Sequence, residues 1–405
     1  MKDKKLTNLS LMLKPHNVLQ YIALLSGIYA SATPINSTNY IGTVLVYLLT
    51  TLVLFLFVKI NKLAVSNRKT LFLLVFSGLI FITLVVNGDN DINFYLGIII
   101  QILSSYLLVE SIPFNDFKKA YIKIFTIIGV YSIILTLYFN IYRESVNALQ
   151  AMYMGDIQLI RWRNFYNIYF IWDLYARHGI IRNSGCFREP GVFGSFLSIA
   201  LVLKIIDVKS YKSKNHIDYI QLIILTIAVF STLSTTAVLC LVMSAAIYFL
   251  DGKVDRKKVI ALLLISSATI IFLLKFGSLL FSKFNSSNTS YIALYERIEG
   301  VGSMIKSWLI NPLFGAGYTR YYEIVTKGAN TISFLVILGE FGILLLALLL
   351  YALFKFVKLQ RISTFATLCL MIQFIIILNT QYLILMPLMI IIMFYGISTI
   401  NKKYH

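Results

Sequence analysis

Six arginines, Arg143, Arg161, Arg163, Arg177, Arg182 and Arg188, fall between residues 141 and 190 with no lysine among them. Lysine outnumbers arginine by more than two to one in the whole chain, so the local preference calls for a chemical reason. A guanidinium fork matches phosphate or carboxylate bidentately and is dehydrated at lower cost than an ammonium, whereas snorkelling to lipid headgroups would be served equally by lysine. Arg177, Arg182 and Arg188 lead into the stretch RNSGCFREPGVFG (182–194), where Pro190 suits the first turn of a helix starting at that point. The positive end of that helix, flanked by Arg182 and Arg188, makes an anion site. Glu189 stands beside it as the leading candidate for a general base, with His178 second. The competing reading has Glu189 paired with Arg182 or Arg188. Further along, Arg297 and Arg320 are candidates for the same anion, and FGAGY places Gly315 and Gly317 in a tight turn or a weak phosphate loop. Trp162, Tyr166, Tyr169 and Trp172 recur at helical spacing, as an interfacial aromatic belt or a surface on which sugar rings stack.

The elements that must carry these residues are membrane helices. Of the 405 residues, 59% are hydrophobic and 13% charged, with a mean hydropathy of +0.81, which predicts an all-α polytopic membrane protein forming a single membrane domain over 1–405. About twelve transmembrane helices are expected, beginning near residues 17, 41, 71, 94, 120, 190, 218, 235, 259, 332, 364 and 383. The basic N-terminus has no small-residue cleavage site, so the first segment is expected to be a retained helix. The net charge of +19 does not imply nucleic acid, because the lysines lie in short clusters between apolar runs. Three cysteines and four scattered histidines show no metal-ligand spacing, so neither a metal nor another cofactor is expected.

The alternate loops orient the helices. One set, with both termini, holds 24 of the 36 positive residues; on the other side SATPINSTNY, GDNDIN, STLSTT and NTQY hold none. The positive-inside rule makes both termini cytoplasmic. The remaining cations lie in two large extracytoplasmic loops, 141–189 and 275–331, where chemistry is expected. In the second, 291–310 has the pattern of an amphipathic helix on the membrane surface, stopped by Asn311 and Pro312. After Pro190, the small residues Gly191, Gly194, Ser195 and Ser198 share a face suited to close helix packing or to a lipid chain.

These features resemble the O-antigen ligase and Wzy-type polysaccharide polymerase superfamily. RNSGCFREPGVFG opening a helix after a long external loop, the interruption STLSTTA, and Arg297 followed by NPLFGAGY and ANTISFLVILGEFGILL carry the resemblance, over roughly 177–350. The Arg-Glu-Pro variant looks more like a polymerase. Ligases commonly carry His-Asn where this chain has Ala329 and Asn330, so no histidine base transfers to that position. The resemblance implies polymerisation of undecaprenyl pyrophosphate-linked repeat units into O-antigen or capsular polysaccharide on the outer face of the bacterial plasma (inner) membrane. The transfer would be inverting and metal-independent, with lipid-linked donor and acceptor, membrane lipid and a chain-length regulator as partners. The alternatives are a ligase or a lipid-linked oligosaccharide flippase. A transporter should concentrate ionisable residues inside its spans, and Glu340 is the main such residue here.

Overall fold

The computed structural model describes residues 15–59, 65–153, 160–172, 180–210, 215–250, 289–325 and 332–398. The helices are α1 (Pro15–Tyr29), α2 (Pro34–Thr38), α3 (Tyr40–Lys59), α4 (Asn67–Asn87), α5 (Ile92–Ser111), α6 (Phe114–Ile141) and α7 (Pro190–Ser210). They continue with α8 (His216–Ser231), α9 (Thr235–Leu250), α10 (Thr289–Ile310), α11 (Tyr318–Ile324), α12 (Ser333–Leu359), α13 (Thr364–Thr380) and α14 (Pro387–Ile397). Among the described residues α3, α4, α5, α6, α7 and α12 are long and apolar enough to cross a membrane. Five shorter apolar helices, α1, α8, α9, α13 and α14, accompany them, and the span expected from 259 lies outside the described residues.

The distribution of burial separates the helices that face lipid from those that organise the protein. On α3 and α4 large apolar side chains such as Leu49, Leu56, Leu74 and Val85 point outward, which is tolerable only in hydrocarbon. In contrast α7 is buried along its whole apolar length, ringed by α6, α8, α9 and α13. A second buried helix, α14, sits among α1, α4, α5 and α12. The small residues on α7 serve this packing. A Cβ on Gly194 would collide with Ala237 on α9, and Ser195 and Ser198 turn their hydroxyls back to the carbonyls of Gly191 and Gly194.

The two ends of the bundle differ chemically. At one end lysines are tied to acids: Lys69 to Glu110 at 3.1 Å, Lys204 to Asp218 at 2.6 Å, and Lys118 to Asp207. At the other the connections bond to one another. Arg188 N–H donates to Ala32, Leu388 N–H to Ser31 Oγ, Asn183 N–H to Ser231, and Ser333 Oγ to the Gln381 carbonyl. The lysine-poor connections of the sequence are therefore gathered on one loop-rich face.

The described residues are predominantly helical, as expected, and within the 141–189 connection they include one small sheet. Residues spaced like a helical aromatic stripe form an antiparallel sheet ordered β1 (Gln150–Tyr153), β2 (Ile160–Phe165), β3 (Tyr169–Trp172). Trp162 faces Trp172 across β2 and β3. Tyr166 and Asn167 turn the chain with positive φ of 50° and 61°, and Asn164 Oδ1 accepts the Asn167 amide. The β-branched and aromatic content of IRWRNF and YFIW suits a pleated surface, and this outweighs the accidental helical period of four large rings. The sheet is anchored from below, where Tyr29 and Tyr131 hydroxyls donate to the carbonyls of Asn167 and Ile168.

A second irregularity interrupts α12. Gly342 has φ 78° and ψ −176°, so the backbone leaves the helix for one residue inside a membrane-length segment. The amides this break frees, on Ile343 and Leu344, donate to Pro312 and Leu313. The carbonyls of Gly339 and Glu340 accept from Ala316 and Gly317. NPLFGAGY thus docks as a turned strap along the break, satisfying backbone groups that hydrocarbon cannot. The Gly-x-Gly pair is explained by this docking, since Gly315 (φ 71°) lies directly against the Glu340 backbone where a Cβ has no room.

Candidate functional site

The site begins with the segment 180–190 and the way it is held. Asn140 brackets Ile181, donating from Nδ2 to its carbonyl at 2.8 Å and accepting its amide at 3.0 Å. Asn183 Nδ2 donates to Ser132 and Ser231, which ties the segment to α6 and α8. Helix α7 then starts at Pro190, as the proline requires, with its positive end on the loop-rich face.

The two arginines have different fates. Arg182 donates from Nε to the Thr232 carbonyl at 3.1 Å and from Nη2 to the Leu233 carbonyl at 2.7 Å, so it caps the α8–α9 turn. Those carbonyls end a helix and attract a cation, which accounts for Arg182 without any ligand. Among the described residues Arg188 is fixed by its backbone: its amide donates to Ala32 and its carbonyl accepts from Trp162 Nε1 at 2.9 Å. The half-buried side chain has an Nε with no hydrogen-bond partner. Glu189 is half-buried beside it, and among the described residues no ion pair joins it to Arg182 or Arg188.

The other predicted residues are dispersed. Arg177 and His178 lie outside the described residues, as does the side chain of Arg297, whose backbone belongs to α10. Arg320 is exposed on α11. Among the aromatic candidates Tyr166 is 82% exposed at the hairpin tip, its ring edge-on to that of Phe165. Trp162 is buried against the Arg188 carbonyl, and Tyr169 is fully buried with its hydroxyl 2.7 Å from that of Thr136.

Residues that the sequence did not mark as a group complete this face. Gln381 packs against Gly191 in the first turn of α7, and its neighbour Tyr382 donates to Glu340 Oε2 at 3.4 Å. Glu340 is wholly buried, and its Oε1 has no partner. Beyond it, Asp89 accepts from the Thr319 amide at 2.9 Å, the Thr319 hydroxyl and the Tyr95 hydroxyl. Burial pushes the Asp89 carboxyl up, but these hydrogen bonds outweigh it and hold the pKa below the ordinary carboxylate value. Phe94 stacks on Tyr318 at 3.8 Å between ring centres, closing the edge of the cluster. Glu340 stood out in the sequence as an acid inside a span, but Asp89 and Gln381 sit in unremarkable turns and gain meaning only from partners far along the chain.

Cys186 is not a nucleophile. Burial pushes its thiol up to about 12, so it carries no thiolate at neutral pH.

Chemically, the Arg188 end can hold an anion with a guanidinium and a helix N-terminus, beside a carboxylate able to accept a proton. No protein-family model matches the chain and no curated protein matches it, so function is argued from the site.

Proposed function

We propose that this protein is a membrane glycosyltransferase that polymerises undecaprenyl pyrophosphate-linked repeat units into O-antigen or capsular polysaccharide. It would act on the outer face of the bacterial plasma membrane, with the loop-rich face extracytoplasmic. In this reading a hydroxyl of the acceptor repeat unit attacks the anomeric carbon of the donor glycan. The anomeric C–O bond breaks with its electron pair leaving on the diphosphate, and the configuration inverts. Arg188 and the positive end of α7 neutralise the charge that develops on the leaving group. Glu189 takes the proton from the attacking hydroxyl. The exposed ring of Tyr166 is assigned to sugar contact.

The observation that supports this reading most is the Arg188 side chain, fixed through its backbone on two sides yet with an unpartnered Nε at a helix N-terminus. A guanidinium kept in place for packing alone would be expected to resemble Arg182, with its donors taken by carbonyls. Deleting the protein in its host and resolving surface glycan on a gel tests the proposal. Collapse of the ladder to a single repeat unit supports polymerase. Intact lipid-linked polymer that never reaches its final anchor identifies a ligase instead.

One observation favours a transporter as the second reading: the buried Glu340 lies two residues before the helix break at Gly342, an arrangement that lipid-linked oligosaccharide flippases could use for coupling. Repeat units trapped on the cytoplasmic side of the deletion strain would establish it.

A further inference from the structure

The lysine-rich end of the bundle carries a cavity of about 730 Å³ between α4, α12 and α14, remote from the site above. Its walls change character along their length. On α4, Arg68 stands at the end and Leu71 and Val75 follow one and two turns deeper on the same side. On α12, which runs in the opposite sense, Lys355 and Lys358 stand at the same end and Leu348 lies two to three turns deeper. With a rise of 1.5 Å per residue, the charged mouth and apolar interior are separated by about 10 to 15 Å. Lipid is amphipathic over that distance, with a phosphate at the membrane surface and the first part of an acyl chain below it.

Among the described residues no aspartate or glutamate lines the cavity. Lys69, Lys118 and Lys204 at this end each have a carboxylate partner, whereas Arg68, Lys355 and Lys358 have no ion pair among the described residues. Lys355 and Lys358 instead rest over the rings of Tyr351 and Phe354, at 5.3 Å and 4.6 Å from the centroids. Three unpaired cations over an apolar groove favour an anionic, chain-bearing ligand over a free ion, because the deeper apolar walls would contribute nothing to inorganic phosphate.

We propose that this groove binds an anionic phospholipid of the surrounding leaflet, its phosphate among Arg68, Lys355 and Lys358 and one acyl chain along Leu71, Val75 and Leu348. The site is independent of the glycan-transfer reading, since it lies at the opposite end of the bundle. The test uses the full-length protein in neutral detergent, titrated with phosphatidylglycerol, phosphatidylcholine or inorganic phosphate, with bound lipid counted by native mass spectrometry. Wild type is expected to retain phosphatidylglycerol in preference to phosphatidylcholine and to be unaffected by inorganic phosphate. The triple variant Arg68→Gln, Lys355→Gln, Lys358→Gln should lose affinity for phosphatidylglycerol on the order of a hundredfold, at about fivefold per cation. Lys119→Gln, an exposed cation at the same end and outside the groove, should lose none. The charge-conserving single variant Arg68→Lys should retain phosphatidylglycerol at close to wild-type affinity, which separates loss of charge from loss of the arginine itself; a loss equal to that of the triple variant would overturn the proposal. Equal retention of phosphatidylcholine, competition by inorganic phosphate alone, an unchanged triple variant, or an equal loss in Lys119→Gln would each overturn the proposal.

Discussion

Arg182 and Arg188 differ by six positions, and their surroundings predict opposite phenotypes. Arg182 bonds two carbonyls that no other described side chain reaches in the same way, so Arg182→Lys should loosen the α8–α9 turn and lower stability by about 1 to 3 kcal/mol. Arg188→Lys should stay within about 1 kcal/mol of wild type while abolishing most polymer. Thermal unfolding in detergent, run beside the glycan gel, checks both. Equal destabilisation by the two substitutions would mean that Arg188 is also a packing residue. The excess of arginine over lysine between 141 and 190 was readable from the sequence because it is a local count. The partners of Arg182 were not, because they lie about fifty residues away and are backbone atoms, which have no composition to betray them.

At the scale of elements, prolines and a handful of glycines mark where helices begin and break. Pro190 announced the start of α7, since its fixed φ and missing amide suit only that position. The hairpin was concealed by four aromatic residues whose spacing mimics a helix turn, and the strap over α12 was concealed because NPLFGAGY and Gly342 reveal their relation only when brought together. Gly342→Ala is expected to cost about 2 to 4 kcal/mol, because it adds a Cβ at φ 78° directly against the Leu313 carbonyl. A thermal midpoint equal to wild type would show that the break relaxes into continuous helix. The strap is held further by Thr319 on Asp89. Since the folded Asp89 pKa is depressed, its contribution is fully present above the unfolded value near 3.9 and is lost as pH falls through the lower folded value. Asp89→Asn should therefore cost about 1 kcal/mol at neutral pH, allowing for solvent screening, and nothing at the acid end. Wild-type and variant stability curves that stay parallel from pH 7 down to about pH 2 would contradict this.

For the whole molecule, the physical division is between an end where lysines pair with acids and an end where loops bond to loops. Apolar run lengths and lysine clusters sufficed to foresee a many-helix membrane protein with its connections sorted in this way, because bilayer thickness and loop charge act on sequence directly. Which helices are central was not foreseeable: α7 is no more apolar than α12, yet it is encased by protein, and hydropathy alone cannot distinguish a lipid neighbour from a leucine. The proposed function requires the loop-rich face to be extracytoplasmic. A cysteine introduced at exposed Tyr166 should react with an impermeant maleimide on intact cells, and one at exposed Lys119 should react only after permeabilisation. The reverse pattern would place the arginines in the cytosol and remove the lipid-linked donor from their reach.

The central claim is that Arg188 grips the leaving diphosphate of a lipid-linked glycan, and purified components test it most directly. Lipid-linked repeat units isolated from the deletion strain, incubated with the protein reconstituted in liposomes, should grow into a ladder with wild type. With Arg188→Lys, folded and present at the same density, the rate should fall by on the order of a hundredfold, as expected when an electrostatic group that stabilises the transition state is lost. A ladder of undiminished rate from Arg188→Lys, or none from wild type, would contradict the account.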